Sequence, residues 1–427
     1  MRFRHLLAKA IAGARAAAVA ALILVGTPFG QIAWSQSRGG PGIDVPGLRF
    51  HVKPEDLPRP HATPSVGNGA NRTVKPSETP LQVPEGFRVN LFAGDLDHVR
   101  WMTVADNGDV LLAEPQLGKI TLLRDSDGDG QADLREAFLR GLNQPHGLAV
   151  HKGYLYIGEP TRIVRVPYRP GDLKPTGKKE VVGGSGSLGG GGGHWTRNIV
   201  FAPDGKSFYV SVGSRHNVDV EEEPRATVQR FNVDGSGQTT IATGLRNPVG
   251  IDFHPDTGEL YVVVNERDGL GDGLVPDYLT RVRAGEFLGW PYAYIGANPD
   301  PDYGDEGREL IASTVVPDVL FQSHSAPLGL VFYKGGMFPD TFRGDAFVAL
   351  HGSWNASQPT GYKVVRVPFE NGRPRGWYEN FAVGFWSKGR SPARVWGRPA
   401  GLAIARDGSL LIADDVDQSI WRISYGK

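Results

Sequence analysis

One short phrase of alternating apolar and polar residues recurs along the chain and predicts β-hairpins. Each copy has a first alternation, a turn that contains Asp-Gly or a related pair, and a second alternation that ends in a polar residue. A third short strand follows. Period-two alternation joined by Asp-Gly turns is a sequence signal of antiparallel hairpins. The copies begin at Trp101, Pro145, Asn198, Pro248, Pro327 and Pro399, and the copy at Pro327 is degenerate.

The repeat predicts an all-β fold, a six-bladed β-propeller, because six units of three or four strands are the signature of that architecture. We find no segment of ten or more residues with clean helical periodicity. A jelly roll or a β-sandwich is the alternative, but neither explains a repeated phrase. In a propeller the loops before the first strand of each unit converge at one end of the channel. The polar residues expected to converge there are Gln144, His146, His194, Arg197, Arg246, Asn247, His324 and Arg398.

Two segments precede the repeats, and we expect them to have different functions. Residues 1–36 combine a basic head, an apolar run at 16–25 and small residues at 33–36, which predicts a secretory signal peptide. An uncleaved membrane anchor is the alternative. Residues 37–80 are rich in Pro, Gly and polar residues and are expected to form a mobile linker or an arm that follows the surface. The propeller domain is therefore expected to span residues 81–427.

Charge and cysteine content exclude several classes of protein. The chain has 46 Lys and Arg, 46 Asp and Glu, and no cysteine. A net charge of zero argues against a nucleic-acid partner. Without cysteine there are no disulfides, Cys-ligated zinc, iron–sulfur clusters or haem attached through C-x-x-C-H. Residues 1–36 hold four basic and no acidic side chains, so the remainder carries 42 basic and 46 acidic ones. A mildly acidic, cysteine-free, exported chain fits the periplasm, with no stable membrane insertion.

Two further motifs lead to opposite conclusions. The segment 125–133, DSDGDGQAD, has the D-x-D-x-D-G spacing of a calcium loop. It has no flanking helices and no Glu at position 12, so it is not an EF-hand, and an acidic hairpin tip without metal is the alternative. Residues 184–189, GSGSLG, match G-x-G-x-x-G but precede a glycine tract and a strand, so we reject a dinucleotide site. The loop 183–193 is interpreted as a flexible approach to His194, and as a gate over the cleft. The expected ligands of the calcium loop are Asp125, Asp127, Asp129 and Asp133.

Two long stretches resemble the glucose/sorbosone dehydrogenase family. They are GGGGHWTRNIVFAPDGKSFYVSVGSRHN and GLRNPVGIDFHPDTGELYVVVNERDGLGDGLVPDYLTRVRAGEFLGWPY. HGSWN and GRPAGLAIARDGSLLIAD are similar to the L-sorbosone dehydrogenase branch. Members of this family are periplasmic quinoproteins with a six-bladed propeller that hold pyrroloquinoline quinone (PQQ) and calcium in the axial cleft. The resemblance covers the chain from about residue 81 to its end.

The resemblance implies roles for individual residues. His194 stands where the family keeps its catalytic base, and Arg246 where the family places an arginine beside the reactive quinone carbonyl, with Asn247 next to it. Arg398 matches an arginine that neutralises the carboxylates of the cofactor. The segment 265–269, NERDG, matches the loop whose backbone carbonyls hold calcium. The implied metal-site residues there are Arg267, Asp268, Gly269 and Asp272, with Asp277 as a further carboxylate.

Three departures from the family pattern change the expected cofactor contacts. Ala400 replaces a second arginine, Ser214 replaces an aspartate, and the lysine of the fifth unit has no counterpart, although His351 lies near its position. Recognition of the cofactor carboxylates must therefore be rebuilt from other residues. The candidates for cofactor binding are Gln144, His146, Arg197, Asn247, His351 and Arg398.

The implied activity is oxidation of a sugar, a sugar aldehyde or a polyol by hydride transfer to PQQ. Because the chain has no haem motif, the electrons are expected to leave to an external cytochrome or quinone. Two other classes remain open. One is a calcium-dependent lactonase or esterase that polarises a carbonyl with its metal. The other is a non-catalytic propeller that binds a glycan or a protein.

Overall fold

Antiparallel β-sheet makes up almost all regular structure of the protein. The structure is a computed structural model that describes residues 32–34 (backbone only), 39–77, 81–184 and 186–426. The predicted signal peptide lies outside the described residues except for the strand Ile32–Trp34. Within these residues the helices are one α-helical turn, Arg308–Ile311, and three 3₁₀ turns, Pro54–Asp56, Pro115–Leu117 and Asp340–Phe342. Across the described ranges, no helix is both long enough and apolar enough to cross a membrane.

Six sheets each contain a core of four antiparallel strands. Sheet 1 comprises Trp101–Val104, Val110–Glu114, Lys119–Arg124 and Leu134–Leu139. Sheet 2 comprises Leu148–His151, Tyr154–Glu159, Arg162–Pro167 and Glu180–Val182. Sheet 3 comprises Ile199–Phe201, Ser207–Val212, Thr227–Asn232 and Thr239–Thr243. Sheet 4 comprises Asn247–Phe253, Leu260–Asn265, Tyr278–Val282 and Val319–Leu320. Sheet 5 comprises Pro327–Phe332, Ala346–Leu350, Lys363–Val367 and Tyr378–Ala382. Sheet 6 comprises Pro399–Ile404, Leu410–Asp414, Ser419–Tyr425 and Phe87–Ala93.

The order of these sheets in space follows the order of the sequence repeat. The first strands of successive sheets contact one another, and the first strand of sheet 6 contacts the first strand of sheet 1. Sheet 6 joins three strands from the end of the chain to Phe87–Ala93, so it unites the two ends of the domain. The all-β class predicted from the alternation is confirmed.

The second strand of each sheet is almost entirely buried, which explains its apolar sequence. All five residues of Val110–Glu114 are buried, and so are all five of Ala346–Leu350. Strands covered on both faces need apolar residues on both faces. The cores lie between neighbouring sheets: Leu111 of sheet 1, for example, shares a hydrophobic cluster with Leu155 of sheet 2. Burial of these faces fixes the register of every strand.

The segment that precedes the domain is an arm packed on its surface. Arg49–His51 pairs with sheet 5 through Tyr378, and Asn71–Arg72 pairs in parallel with Arg394–Val395. Of the two forms expected for residues 37–80, the described residues 39–77 therefore take the arm rather than the free linker. The remaining short strands are Glu286–Phe287, Ala293–Tyr294, Asn298–Pro299, Phe369–Glu370, Arg373–Pro374 and Trp386–Lys388.

Candidate active site

One cleft of about 230 Å³ collects charged residues from five of the six sheets. Arg100 and Arg398 immediately precede the first strands of sheets 1 and 6, and Arg246 precedes that of sheet 4. His194 comes just before sheet 3, and His351 follows the second strand of sheet 5. In antiparallel pairs the start of the first strand and the end of the second share one edge. The other polar residues that line the cleft are Asn247, Asn265, Glu266, Asp268, Asp277, His324 and Asn355.

His194 is held as a neutral imidazole with one nitrogen available. Its Nδ1 lies 2.9 Å from the carbonyl oxygen of Ser214 and 3.0 Å from Ser214 Oγ. A carbonyl oxygen only accepts, and Ser214 Oγ donates its own proton to the His216 carbonyl, so Nδ1 carries the hydrogen. Burial, reinforced by the positive charge of Arg246, lowers the pKa of His194 to about 3. Its Nε2 is therefore unprotonated at neutral pH, with a lone pair that can accept a hydrogen bond from a hydroxyl group.

Arg246 belongs to a network of ion pairs at one wall of the cleft. It donates to Asp268 at 3.1 Å, and to the carbonyl and side-chain oxygens of Asn217 at 3.0 and 2.8 Å. Asp268 also faces Nδ1 of His324 at 3.6 Å, while Nε2 of His324 lies 3.0 Å from the carbonyl of Gly271. Although burial opposes it, these partners raise the pKa of His324. This part of the cleft therefore pairs the Arg246 cation with the Asp268 carboxylate, and His324 faces the same carboxylate.

A second charged group beside the cleft is centred on Asp415. Arg100 donates to Asp415 at 2.5 Å, and Nε2 of His351 lies 2.9 Å from the same carboxylate. Burial opposes ionisation of Asp415, yet His351, Arg100 and Arg398 together lower its pKa. Arg398 donates to the carbonyls of His351 and Gly352, both at 3.0 Å. Burial, reinforced by the charge of Arg398, lowers the pKa of His351 to about 4, so two arginines and a neutral imidazole surround one carboxylate. The group keeps a net positive charge, which attracts anions.

Two buried carboxyl groups give the cleft an acidic patch. Burial raises the pKa of Glu266 to about 7 and that of Asp277 to about 6. Asp277 accepts from the backbone N–H groups of Glu266 and Ala326, at 2.9 and 2.8 Å. A raised pKa means that both anions are costly in the absence of a cation. These oxygen donors are of the type that calcium prefers.

Asn247 offers a polar atom that the protein itself does not use. Its Oδ1 is buried and has no hydrogen-bond partner among the described residues. The atom lies against Gly213, where an added Cβ would come within 2.5 Å of it and within 2.7 Å of the Cβ of His194. Because buried polar atoms are nearly always paired, this oxygen indicates a missing ligand group.

Three of the predicted cofactor ligands lie outside the cleft lining. His146 is buried between Trp101 and Trp195, and its Nδ1 lies 2.8 Å from Asn198 Oδ1. Burial, with the charge of Arg100, lowers the pKa of His146 to about 3, as expected of a neutral core residue. Gln144 is exposed in the loop before sheet 2. The structure corrects their expected position: neither side chain reaches the cleft.

The structure also corrects the predicted position of Arg197, the third predicted cofactor ligand that lies outside the cleft lining. Its guanidinium is fully buried and donates to the carbonyls of His194, Thr196 and Leu188 at 2.8, 2.7 and 3.2 Å. Arg225 acts similarly, donating to four consecutive carbonyls of residues 189–192 and to that of Gly213. Together the two arginines fasten the glycine tract and hold the backbone of His194, so a gate would have to break these bonds.

Of the residues predicted to form the metal site in and just after the segment 265–269, some line the cleft and others do not. Asp268 lines the cleft, but Arg267 points away from it into an ion pair with Asp300 at 2.6 Å. Asp272 lies in a separate cavity beside the arm and accepts from the backbone N–H of Ser357 at 2.9 Å. Gly269 is not part of the cleft lining. The acidic residues that reach the cleft with Asp268 are Glu266 and Asp277.

The acidic hairpin tip brings together three of its four predicted ligands. Oxygens of Asp125, Asp127 and Asp133 lie within 4.8 Å of one another, whereas Asp129 is not in the group. Asp129 instead accepts from the backbone N–H of Gln131 at 2.7 Å. In the described ranges this is the one cluster of three metal-type side chains. Calcium binding at this tip stays a prediction.

The sequence interpretation missed Arg100 and Glu266, which line the cleft, and Asp415, which is bonded to the lining residues Arg100 and His351. Arg100 stands immediately before a first strand, as Arg246 and Arg398 do, so the repeat itself contained the signal. Asp415 and Glu266 follow second strands, which end at the same edge. Counting both positions in every repeat would have found all three.

The fold and the cleft define a β-sheet protein with a charged site where its sheets begin, and sequence comparison supplies the family. The chain belongs to the TrAA12-like family, whose sequence model matches residues 81–275 and 307–426.

Individual relatives cover different shares of the chain. An uncharacterized protein of Borreliella burgdorferi is 34% identical over 237 residues, covering 55% of this chain and 61% of that protein. The pyrroloquinoline quinone-dependent pyranose dehydrogenase of Coprinopsis cinerea is 26% identical over 407 residues, covering 80% of this chain and 54% of the dehydrogenase. This chain thus spans less than two thirds of the length of either. The solved holo form of the PQQ domain of the Coprinopsis enzyme matches with a TM-score of 0.68 at 22% identity, covering 83% of this chain and 99% of that domain. At that identity the likeness shows a shared fold.

Proposed function

We propose that this chain is a six-bladed β-propeller quinoprotein that oxidises a sugar, a sugar aldehyde of the sorbosone type or a polyol with PQQ and calcium. The six four-stranded sheets are its blades, and the cleft is the mouth of their axial channel. The contact of each first strand with the next, including sheet 6 with sheet 1, supports this arrangement. Similarity to a PQQ-dependent pyranose dehydrogenase supports the reaction class.

The observation that carries the proposal is the setting of His194. A buried, neutral imidazole presents Nε2 to a cleft in which Arg246, Arg100 and Arg398 supply positive charge. Oxidation of an alcohol by hydride loss needs a base for the hydroxyl proton and a cation where negative charge develops. His194 and Arg246 provide these two functions in one site.

The residues present fit PQQ, which carries three carboxylates and a quinone. Arg398 and Arg100, with His351 between them, take over the carboxylate recognition for which the family lysine is missing. Asn247, whose buried Oδ1 lacks a partner in the described structure, and Arg246 face the other end of the group. When bound, PQQ supplies the acceptor for two electrons and a hydrogen from the substrate carbon.

Calcium fits the acidic side of the same cleft. Burial makes ionisation of Glu266 and Asp277 costly, and a divalent cation beside them would lower the pKa of both groups. Asp268, already ionised by Arg246 and His324, adds a third carboxylate. The role of these side chains is to place positive charge where the quinone oxygen becomes negative.

Location and electron transfer complete the proposal. We infer export to the periplasm from the basic and apolar pattern of residues 1–36. The electrons pass to an external cytochrome or quinone, because the chain has no cysteine with which to attach a haem.

A dye-coupled screen tests the function. Purified protein, incubated with PQQ and Ca²⁺, is offered aldoses, sorbosone and polyols, with an aryl lactone as a control substrate. We expect dye reduction with a sugar-type substrate only when both PQQ and Ca²⁺ are present. Lactone hydrolysis that needs Ca²⁺ alone would instead identify the chain as a hydrolase.

A further inference from the structure

A tryptophan at the rim of the cleft stands apart from every other large apolar residue. Trp354 has 58% of its surface exposed and lines the cleft. Eleven other large apolar side chains are exposed in the described part of the chain, and none of them lines the cleft. An exposed indole inside a cleft of charged residues contributes nothing to the core, so its position calls for another explanation.

The loop that carries Trp354 is fastened on both sides of this residue. The carbonyl of Trp354 accepts from the backbone N–H of Asn68 in the arm at 2.7 Å. Asn355 donates to Asp268 at 2.7 Å, and Ser353 is bonded to Thr360 through both backbone and side chain. The backbone is therefore fixed while the ring is open to solvent, which is the arrangement of a preformed contact.

We propose that Trp354 is the platform on which the sugar ring of the substrate stacks, an inference that rests on the function proposed above. A pyranose presents axial C–H groups on one face and hydroxyls around its rim. The indole face covers the C–H groups. Asn355 and His324 line the same cleft and provide polar groups around the hydroxyls. The arm contributes to this platform because the backbone N–H of Asn68 holds the Trp354 carbonyl from outside the domain.

The test compares Trp354→Ala and Trp354→Phe with a matched control, Trp377→Ala. Trp377 lies outside the cleft, where the Arg49 guanidinium stacks over its ring at 4.3 Å. All proteins are loaded with PQQ and Ca²⁺ and assayed on D-glucose and on sorbosone. For Trp354→Ala we expect KM for the sugar to rise on the order of tenfold or more with little change in kcat. Trp354→Phe should recover most of the affinity, and Trp377→Ala should match the wild type.

Two readouts separate this role from others that an exposed tryptophan could have. The affinity for PQQ, followed by absorbance titration, should be the same in Trp354→Ala and wild type. Loss of PQQ affinity with an unchanged sugar KM would overturn the proposal, because the ring would then cover the cofactor. A raised KM for the electron acceptor with an unchanged sugar KM would overturn it as well.

The failure of the proposed function would be recognised separately. If the wild type reduces no dye with any sugar, the quinoprotein assignment fails whatever the Trp354 variants do. Saturation-transfer NMR of D-glucose with wild type and Trp354→Ala then still decides the platform. A signal that disappears in the variant supports it, and an equal signal or none in both proteins refutes it.

Discussion

Gly213→Ala adds one methyl group beside two residues of the proposed site, His194 and Asn247. The residue follows the second strand of sheet 3, and its φ is not in the left-handed region, so alanine can adopt the backbone conformation. The effect of the substitution is therefore steric. The new Cβ would lie 2.5 Å from Oδ1 of Asn247 and 2.7 Å from the Cβ of His194.

The structure sets the size of the effect. Nonbonded carbon atoms pack at about 3.5–4.0 Å, so the Cβ of His194 must move by roughly 1 Å. Because His194 is bonded to Ser214 through both its backbone N–H and its ring, its movement disturbs the hydrogen bond that sets the tautomer. A misplacement of about 1 Å in a reacting group can cost about 10²-fold in rate. Overpacking itself costs about 1–3 kcal/mol, which such a large domain tolerates.

The assay is steady-state dye reduction with saturating PQQ and Ca²⁺, together with a thermal melt. We expect kcat to fall about 10²-fold and Tm by only a few degrees. The matched control is Gly191→Ala, in the glycine tract that precedes His194. Its φ is also outside the left-handed region, and no heavy atom lies within 4 Å of the new Cβ. The control should keep wild-type kcat.

Two results would refute this reasoning. Wild-type kcat in Gly213→Ala, with a melt that shows the protein folded, would mean that the position of His194 does not limit the reaction. Equal losses in Gly213→Ala and Gly191→Ala would mean that the tract, rather than the contact with His194 and Asn247, is sensitive.

Three further predictions concern the base, the metal and a buried acid. His194→Ala should lower kcat by about 10²–10⁴-fold, the range for a positioned general base, while PQQ titration shows the cofactor retained; wild-type turnover would exclude His194 as the base. Exhaustive chelation should abolish PQQ-dependent dye reduction and Ca²⁺ should restore it, whereas full activity with no metal by elemental analysis would exclude a calcium role. Burial raises the pKa of Asp414 to about 7, so the folded chain holds a proton that the unfolded chain has lost, and stability should fall as pH rises from about 4 to 7. Asp414→Asn keeps the acceptor oxygen and should flatten that decline in urea melts at pH 5 and pH 8; an unchanged slope would contradict it.

Sequence reasoning reached the fold class because burial leaves a periodic record. Strands such as Val110–Glu114 must be apolar to lie between neighbouring sheets, and the turns that join them contain Asp-Gly or a related pair. The arm was ambiguous for the opposite reason: its contacts are single pairings with distant residues, as between Phe50 and Tyr378, and they impose no periodicity.

The site was predictable where position in the repeat decides position in space. Arg246, Asn247 and Arg398 were predicted and line the cleft, since they stand at the start of first strands. Arg197 stands at an equivalent place, yet its side chain turns to backbone carbonyls. Side-chain direction in a loop depends on packing that no local pattern encodes.

Most of the charged residues that the sequence interpretation missed follow the second strands of the sheets. Asp415 and Glu266 follow them, and antiparallel pairing carries them back to the edge where the first strands begin. Asp272 was overestimated because a loop close in sequence to Asp268 turns away toward the arm and Ser357. Closeness in sequence to a residue of the site therefore does not show that a carboxylate lies in the site.

The most direct test of the central claim is an absorbance titration of the purified protein with PQQ in the presence of Ca²⁺, followed by anaerobic addition of a sugar. We expect saturable binding of one PQQ per chain, weaker binding in Arg246→Ala and Arg398→Ala, and a change to the reduced quinone spectrum when an oxidisable sugar is added. No saturable binding of PQQ to the folded, calcium-loaded protein would contradict it.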